Sequence, residues 1–382
     1  MPDLAERLSG SARTERSARA MVQVGSHNLE MRRLPRGEIG PDEAWLRVEA
    51  NGVCGTDVEA YHGHLTELMQ LDYAFIPGHE PLGFIDEIGE LASKRWGVTV
   101  GDRVAVEPML RCGHCRNCIT GQYTQCKGWD GRNLAYGFVD VERSPQLWGG
   151  YAEYLYLHPN TVVHKMPDRL STEVASLWNA LGGGVRWAGA DAGTRPGDTV
   201  VIFGPGPRGL CSLVAAQEAG AAQVIVTGLA ADRPRLEVAR ALGATRVVYA
   251  DSEDPIAAVL EATDGRGADI AVDASAMATQ PILDAISALR PGGSLTLAGL
   301  KGGRPIPNFV SDRIIVKELV VRGRWGVDFT AYAEAIRIIA SDRYPLELMA
   351  LVRFPLDKAA DAILTLSREI GDGSAIATMI TP

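Results

Sequence analysis

The 382-residue chain lacks the features that mark several specialised classes of protein. It contains no run near the ~18 consecutive apolar residues that a membrane-spanning helix requires, so we expect no membrane partner. Its 38 Lys and Arg are outnumbered by 47 Asp and Glu, and the formal net charge of −9 argues against nucleic acid as a partner. Its six cysteines are too few for a disulfide scaffold in a chain of this length.

The first 20 residues lack the signals for export. They contain no apolar core of the kind found in secretory signal peptides, and the acidic Asp3, Glu6 and Glu15 argue against a mitochondrial presequence. We therefore expect a flexible extension over residues 1–20 and a cytoplasmic protein. At about 150 residues per domain, the whole chain is long enough for two to three domains.

The hydrophobic pattern changes character about halfway along the chain. The first part has short apolar stretches broken by Gly and Pro, such as AWLRVEANGV and GGYAEYLYL, which is typical of a β-rich unit. Later, strand-like runs alternate with helix-like segments, which predicts an α/β fold with a parallel sheet covered on both faces. Six such runs suit a doubly wound dinucleotide-binding sheet. They are TVVIF (199–203), QVIVT (223–227), RVVYA (246–250), DIAVD (269–273), SLTLA (294–298) and ELVVRG (318–323).

A glycine-rich loop follows the first of these runs. Its sequence is Gly204-Pro205-Gly206-Pro207-Arg208-Gly209, and it opens a predicted helix. In a GxGxxG loop, the first Gly permits the turn, the second lets the backbone approach a pyrophosphate, and the third lets the helix pack against the sheet. The strand-turn-helix context predicts that this loop, including Pro207 and Arg208, binds a dinucleotide.

The end of the second run bears on the choice of cofactor. An acid usually binds the ribose 2′-hydroxyl of NAD there, but this chain has Gly228, with Asp232 four residues later. Gly228 leaves room for a 2′-phosphate, with which Arg233 or Arg235 could pair. Alternatively, Asp232 reaches back and the cofactor is NAD. We expect NAD(P) with a slight preference for NADP. Further predicted cofactor contacts at the ends of later strands are Asp273, Ser275 and Gly299.

Four cysteines at close spacing predict a metal site. Cys112, Cys115, Cys118 and Cys126 can supply four thiolates to one tetrahedral Zn²⁺, which leaves no open position and is typical of structural zinc. Disulfides are not expected in a cytoplasmic protein, and a CxxC redox site would not need the third and fourth cysteines.

A second and looser set suggests a catalytic metal. Cys54 and His79, from separate loops, are two of the usual three protein ligands of a zinc ion with an open position. Such an ion can bind an alcohol oxygen and favour its alkoxide, which prepares hydride departure. The hydroxyl of Thr56 could then carry the proton away.

Together these motifs resemble the zinc-dependent medium-chain dehydrogenases, which include alcohol, sorbitol and threonine dehydrogenases. The resemblance runs from about Met21 to the C-terminus. It is carried by GVCGTD (52–57), PGHE (77–80), the cysteine loop (112–126), GGYAEY (149–154) and GPGPRG (204–209).

The resemblance implies a domain plan, an activity and an assembly. A GroES-like catalytic domain would span residues 21–172 with a zinc lobe at 108–130, and a Rossmann domain would span 173–325. Residues 326–382 would return to the catalytic domain. The activity would be hydride transfer between a small alcohol or carbonyl substrate and NAD(P), in a homodimer or homotetramer.

Three positions depart from the family pattern. Glu59 stands where the family often has a proton-relaying His, Gly228 replaces the ribose-binding acid, and Asn179 replaces a metal-binding Glu in the stretch Leu177–Leu181. An amide oxygen is a poorer zinc ligand than a carboxylate. We therefore expect Cys54, His79 and Glu80 to hold the zinc, with Asn179 or a water completing its shell; alternatively the ion is weakly held or lost.

Two other functions compete with an alcohol or polyol dehydrogenase. One is a nucleotide-binding protein without activity that keeps only the structural zinc. The other is a zinc-independent NADPH reductase of the same superfamily. Cys54, Thr56 and His79 argue against both, because neither alternative needs them.

Overall fold

The computed structural model describes residues 16–66, 71, 73–129, 134–349 and 351–382. Residues 1–15 of the predicted extension, and the last residue of the predicted zinc lobe, lie outside this set. The extension was predicted too long, because a strand already begins at Ser17, and Ala18 and Ala20 are fully buried in it.

The described residues form strands of two to ten residues and mostly short helices. The strands are β1 (Ser17–Gly25), β2 (Asn28–Pro35), β3 (Ala44–Val53), β4 (Pro81–Ile88), β5 (Arg103–Val106), β6 (Met109–Leu110), β7 (Leu134–Ala135), β8 (Tyr154–Leu157), β9 (Val163–Lys165), β10 (Thr199–Phe203), β11 (Gln223–Gly228), β12 (Arg246–Tyr249), β13 (Ala268–Asp273), β14 (Leu289–Leu297), β15 (Val320–Gly323), β16 (Leu351–Pro355) and β17 (Ala377–Thr381). The α-helices are α1 (Gly55–Tyr61), α2 (Glu90–Trp96), α3 (Arg116–Ile119), α4 (Thr172–Ala175), α5 (Trp178–Ala188), α6 (Pro207–Glu218), α7 (Arg233–Ala241), α8 (Pro255–Ala262), α9 (Gln280–Ala288), α10 (Asp312–Val316), α11 (Phe329–Ala340) and α12 (Ala359–Ser367).

The second half of the chain forms the predicted parallel sheet. Its six strands lie in the order β12-β11-β10-β13-β14-β15, and all neighbours are parallel. Every residue of β10 and β13 is buried, because helices cover both faces of the sheet. The strand order reverses between β10 and β13, and in such sheets ligands bind where the order reverses. The α/β prediction is confirmed.

The first part of the chain forms a mainly antiparallel sheet, completed by the C-terminus. The order is β16-β17-β3-β4-β5-β9, and β8 pairs with β3. Met379 of β17 lies opposite Gly52 of β3, so the last strand joins a sheet built mostly from the first 165 residues. This pairing supports the proposed C-terminal return.

The helix α11 contacts both parts of the molecule, and the ring centroid of its Tyr332 lies 5.9 Å from that of His164 in β9. Its Tyr332 and Ala335 are buried in the same hydrophobic cluster as Trp178 and Val200. The start of the proposed return at residue 326 and the other domain boundaries stay predictions.

A cleft of about 800 Å³ lies between the two parts of the molecule. It is lined by residues of the glycine loop on one side and by Cys54, Thr56 and His79 on the other. Among the described helices, none is both long and apolar enough to cross a membrane.

Candidate active site

The four cysteines of the predicted structural zinc site come together in a small lobe. All four sulfur atoms lie within 4.8 Å of one another, and the distances from Cys112 Sγ to Cys118 Sγ and from Cys115 Sγ to Cys126 Sγ are both 3.9 Å. Four thiolates about 2.3 Å from one tetrahedral Zn²⁺ would be about 3.8 Å apart. The donor set therefore fits this ion.

The backbone around the cysteines also suits charged sulfur atoms. Cys112 N donates to Cys126 Sγ, and Cys115 N donates to Cys112 Sγ, both at 3.3 Å. The chain passes so close to the cluster that a Cβ on Gly128 would lie 2.2 Å from Cys112 Sγ. Amide donors aimed at sulfur stabilise the thiolate form, which is the form that binds metal.

Cys54 and His79 lie side by side in the wall of the cleft. We call the part of the cleft that they line its metal end. Cys54 is the N-cap of α1, where its Sγ accepts a hydrogen bond from Thr56 N at 3.3 Å. His79 lies two residues before β4, and its Nε2 is 3.1 Å from Cys54 Sγ. Both residues are buried, with 7% exposure each. A sulfur and an imidazole nitrogen this close can bind one Zn²⁺ together.

Asp57 holds both of these residues in place and was not predicted as a site residue. Its Oδ2 accepts a hydrogen bond from Cys54 N at 2.9 Å, and its Oδ1 lies 3.3 Å from His79 Nδ1. A carboxylate behind a metal-binding His typically fixes the orientation of the ring. The capping spacing from Cys54 to the acid three residues later was the signal that could have identified it.

The charges around His79 favour a cation. Burial lowers the pKa of His79, but the negative Cys54 and Asp57 beside it outweigh burial, and the pKa is raised well above its ordinary value. The same field that holds a proton on this ring would attract a metal ion.

Glu80 and Asn179, the other predicted metal ligands, are both hydrogen-bonded to Arg208. Nη2 of Arg208 donates to Glu80 Oε1 at 2.9 Å and to Asn179 Oδ1 at 2.8 Å. Asn179 Nδ2 donates in turn to the hydroxyl of Tyr332 at 3.1 Å. Arg208 was predicted to contact the cofactor, and its reach into the metal end of the cleft was not foreseen.

The glycine loop has the geometry that its sequence predicts. Gly204 adopts a φ of +102°, which favours glycine, and a Cβ on Gly209 would lie 1.9 Å from Gly204 O. Gly206 is the N-cap of α6, and a Cβ on Gly206 would have no atom within 4 Å. The space beside Gly206 is part of the cleft, next to the helix N-terminus where a pyrophosphate binds favourably.

The other predicted cofactor residues divide into two groups. Four line the cleft, namely Gly228, Asp232, Ser275 and Gly299. Two do not, and they correct the prediction. Asp273 is fully buried and ion-paired with Lys301 at 2.7 Å, while the exposed Arg233 turns toward the ring of Tyr249.

Two other arginines lie near Asp232 instead. Arg235 lines the cleft and is 9% exposed, and Arg368, which caps α12, pairs with Asp232 Oδ1 at 2.6 Å. Burial, and then the charge of Arg368, lower the pKa of Arg235 to about 10. The Asp232 carboxylate beside them acts in the opposite direction and partly offsets this repulsion.

Thr56 and Glu59 lie one turn apart on α1, so they share a side of that helix, and both line the cleft. Glu59 Oε2 is 2.8 Å from Nδ1 of His64, and the side-chain exposure rises from 13% for Glu59 to 49% for His64. The pair thus connects the cleft to the protein surface.

Two family models match most of the described chain. Residues 40–168 match the alcohol dehydrogenase GroES-like domain, and residues 207–341 match the zinc-binding dehydrogenase model. The first match contains both predicted zinc sites except Asn179, and the second begins inside the glycine loop.

Similar proteins cover nearly the whole chain. A probable alcohol dehydrogenase of Mycobacterium tuberculosis is 45% identical over 368 residues, which are 95% of this chain and 98% of that protein. The sorbitol dehydrogenase of Bacillus subtilis is 30% identical, over 90% of this chain and 92% of that protein. The crystal structure of an alcohol dehydrogenase from Thermotoga maritima superposes with a TM-score of 0.83 at 25% identity, covering 96% of this chain and 100% of that one.

Proposed function

Since the chain belongs to the zinc-dependent medium-chain dehydrogenase family, we propose that it transfers a hydride between a secondary or polyol-like alcohol and NAD(P). The observation that carries this proposal is the shared cleft. The Cys54–His79 pair and the open space beside Gly206 border the same cavity, so an alcohol oxygen and a nicotinamide could meet between them.

Cys54, His79 and Glu80 are the proposed ligands of a catalytic zinc, with Asn179 or a water completing its shell. Zinc bound there would supply a Lewis acid that favours the alkoxide form of the alcohol. Asp57 keeps the Nε2 of His79 directed at Cys54 through its contact with Nδ1. A neutral fourth ligand leaves more positive charge at the site than a carboxylate would, which favours alkoxide at lower pH.

The proton released from the alcohol leaves along α1. The Thr56 hydroxyl would accept it in the cleft, which both Thr56 and Glu59 line, and Glu59 would be the next acceptor toward the surface. Glu59 then passes it to Nδ1 of His64 and from there to solvent. A carboxylate paired with an exposed imidazole can therefore replace the family's relaying His.

We infer that the cofactor is NADP in preference to NAD. Gly228 has no carboxylate to bind the ribose 2′-hydroxyl of NAD. Arg368 engages Asp232, so this carboxylate is not free to accept a bond from the ribose. Among the described residues, Nε of Arg235 has no hydrogen-bond partner, and a phosphate would supply one.

Steady-state kinetics with each cofactor would test this preference. We expect a higher kcat/KM with NADP than with NAD, and Arg368→Ala should lower the NADP value more than the NAD value. Gly228→Asp is a less clear test, because a Cβ there would lie 2.8 Å from Pro205 Cγ. A wild type that prefers NAD by a wide margin would refute the inference.

We also propose a homodimer or a dimer of dimers. The edge strand β15 exposes Val320 and Val321, and the nearby helix α10 exposes Ile315 and Val316 at 71% and 81%. An apolar sheet edge of this kind can pair with the same edge of a second copy.

Metal content and a substrate screen test the proposed activity. We expect two zinc ions per chain, one of which Cys54→Ser should remove together with activity. Cys211→Ser is the control for loss of a cysteine, since Cys211 is buried in α6 and belongs to neither group of possible metal ligands. Secondary alcohols, polyols and the matching carbonyls should be assayed with both nicotinamide cofactors. One zinc per chain and no turnover would instead favour a nucleotide-binding protein that keeps only the structural zinc.

A further inference from the structure

Arg208 links the glycine loop to the metal end of the cleft. It lies in the first turn of α6, and its side chain reaches Glu80 just before β4 and Asn179 in α5. Its guanidinium also lies over the ring of Trp187, 5.3 Å from the ring centroid. With 24% side-chain exposure, Arg208 is held by these contacts within the cleft wall.

Glu80 has few alternatives to this partner. Its side chain is only 4% exposed, and its Oε1 accepts the hydrogen bond from Arg208 at 2.9 Å. The other oxygen, Oε2, lies against the backbone of β3, where a Cβ on Gly52 would be 2.5 Å away. In this arrangement the carboxylate is paired with Arg208, and Glu80 does not belong to the group of side chains at the Cys54–His79 site whose possible ligand atoms lie within 4.8 Å of one another.

A buried carboxylate needs a cationic partner, because an unpaired charge away from water is strongly unfavourable. Two cations can fill this role for Glu80. One is the Arg208 guanidinium, and the other is a metal ion held by Cys54 and His79. The neutral Asn179 cannot substitute for either of them. Both cations would share the charge of one carboxylate, so a closer contact with one weakens the contact with the other.

We propose that Arg208 is a positioning residue that competes with the catalytic metal for the Glu80 carboxylate. This inference rests on the proposed function, because it assumes a zinc ion at Cys54 and His79. When Glu80 pairs with Arg208, the ion has fewer protein ligands, and it leaves more readily. When Glu80 binds the ion, Arg208 keeps Asn179 and the Trp187 ring as partners.

Zinc release from the loaded holoenzyme into excess EDTA tests this competition without measuring activity. The phase that belongs to the catalytic ion is the one missing in Cys54→Ser. We expect Arg208→Leu and Arg208→Gln to slow this phase by about tenfold or more, since close charge pairs couple strongly. Glu80→Gln should accelerate it. Two replacements of Arg208 are used in case one disturbs the loop.

The double variant separates competition from a general effect on the fold. In the Glu80→Gln background, Arg208→Leu should no longer change the release rate, because the contested carboxylate is gone. Arg324→Leu is the matched control, as Arg324 also lines the cleft but bonds to the carbonyl oxygen of Asp191. Its release rate should equal that of the wild type.

The outcomes distinguish this inference from the proposed function. Two zinc ions per chain with unchanged or faster release in both Arg208 variants would overturn the competition alone. An equal effect of Arg208→Leu with and without Glu80 would also overturn it. A single zinc ion per wild-type chain would overturn the proposed function and this inference together.

Discussion

Asp269 ties two neighbouring strands of the parallel sheet together through one carboxylate. Its Oδ2 accepts a hydrogen bond from Thr199 N at 2.8 Å, at the start of β10. Its Oδ1 accepts from Arg266 at 2.9 Å and from Arg290 at 2.6 Å, and its side chain is 6% exposed. Burial alone would raise the pKa of Asp269, but these three partners together lower it.

Replacing this carboxylate should destabilise the protein in a pH-dependent way. We expect Asp269→Asn to lower the free energy of unfolding by about 2 kcal/mol at pH 7, because two ion pairs are lost. A lowered pKa gives stability that is present above the ordinary Asp value of about 3.9 and is lost as the pH falls through the folded value. Urea unfolding at pH 7 and near pH 3 should show that the difference in unfolding free energy between the wild type and Asp269→Asn is smaller at the lower pH.

Glu90→Gln is the control for that measurement. The Glu90–Lys94 pair is 77% and 71% exposed, and such pairs contribute little. If the difference in unfolding free energy between the wild type and Asp269→Asn stays constant over this pH range, the carboxylate of Asp269 does not have the stabilising role assigned to it.

Gly206 is the residue whose replacement tests cofactor binding most directly. A Val side chain would project into open cleft space beside the helix N-terminus, where the pyrophosphate must approach. We expect Gly206→Val to weaken cofactor binding at least about tenfold with little loss of stability. Fluorescence titration with NADPH and thermal unfolding would measure the two effects, and Gly206→Ala should be intermediate. Unaltered affinity would refute the assignment.

At the scale of single residues, spacing predicted the sulfur and imidazole groups but not their neighbours. The cysteine set, Cys54 and His79 stand in short local patterns. Arg208 occupies a position of the loop that the glycine pattern leaves open, and its partner Glu80 is distant in sequence. Arg368 meets Asp232 only because the C-terminal part folds back. Contacts made by long-range folding leave no local signal.

The zinc lobe is an element whose structure depends on its four cysteines. Between Cys112 and Cys126, the described residues form only the four-residue helix α3 and one 3₁₀ turn. Helices this short are not stable by themselves. We therefore expect the metal to supply much of the folding energy of this lobe.

Removal of one ligand tests this dependence. Cys115→Ser should lower the zinc content by one ion per chain and lower the melting temperature by several degrees. Inductively coupled plasma analysis and calorimetry would measure both, with Cys211→Ser as the control. An unchanged melting temperature would show that the site is not structural.

Among elements, buried strands were the easiest to predict. The runs at β10 to β13 have mainly apolar centres because both faces of the sheet are covered, and their predicted bounds agree with the structure within one residue. By contrast, β6 and β7 have two residues each. Such short pairings are set by the surrounding chain, so no hydrophobic period could reveal them.

For the whole molecule, the exposed edge at β15 determines the expected assembly. A Lys at this edge would place an unpaired charge in any interface formed with a second copy. We expect Val321→Lys to convert the wild-type oligomer to a smaller species, measured by size-exclusion chromatography with light scattering. Val100→Lys is the control, because Val100 is 62% exposed in a distant loop. A wild type that is already monomeric, or an unaffected variant, would contradict the proposal.

The pairing of β17 with β3 joins residues about 330 positions apart. On the ribosome, the parallel sheet can therefore form before the antiparallel sheet has its last two strands. The Cys54–His79 pair lies at the end of β3, so its supporting sheet is completed only after residues 351–381 have been synthesised. Loss of β17 would leave an intact nucleotide-binding half attached to an unfinished metal-binding half, with the edge of β3 exposed to other nascent chains.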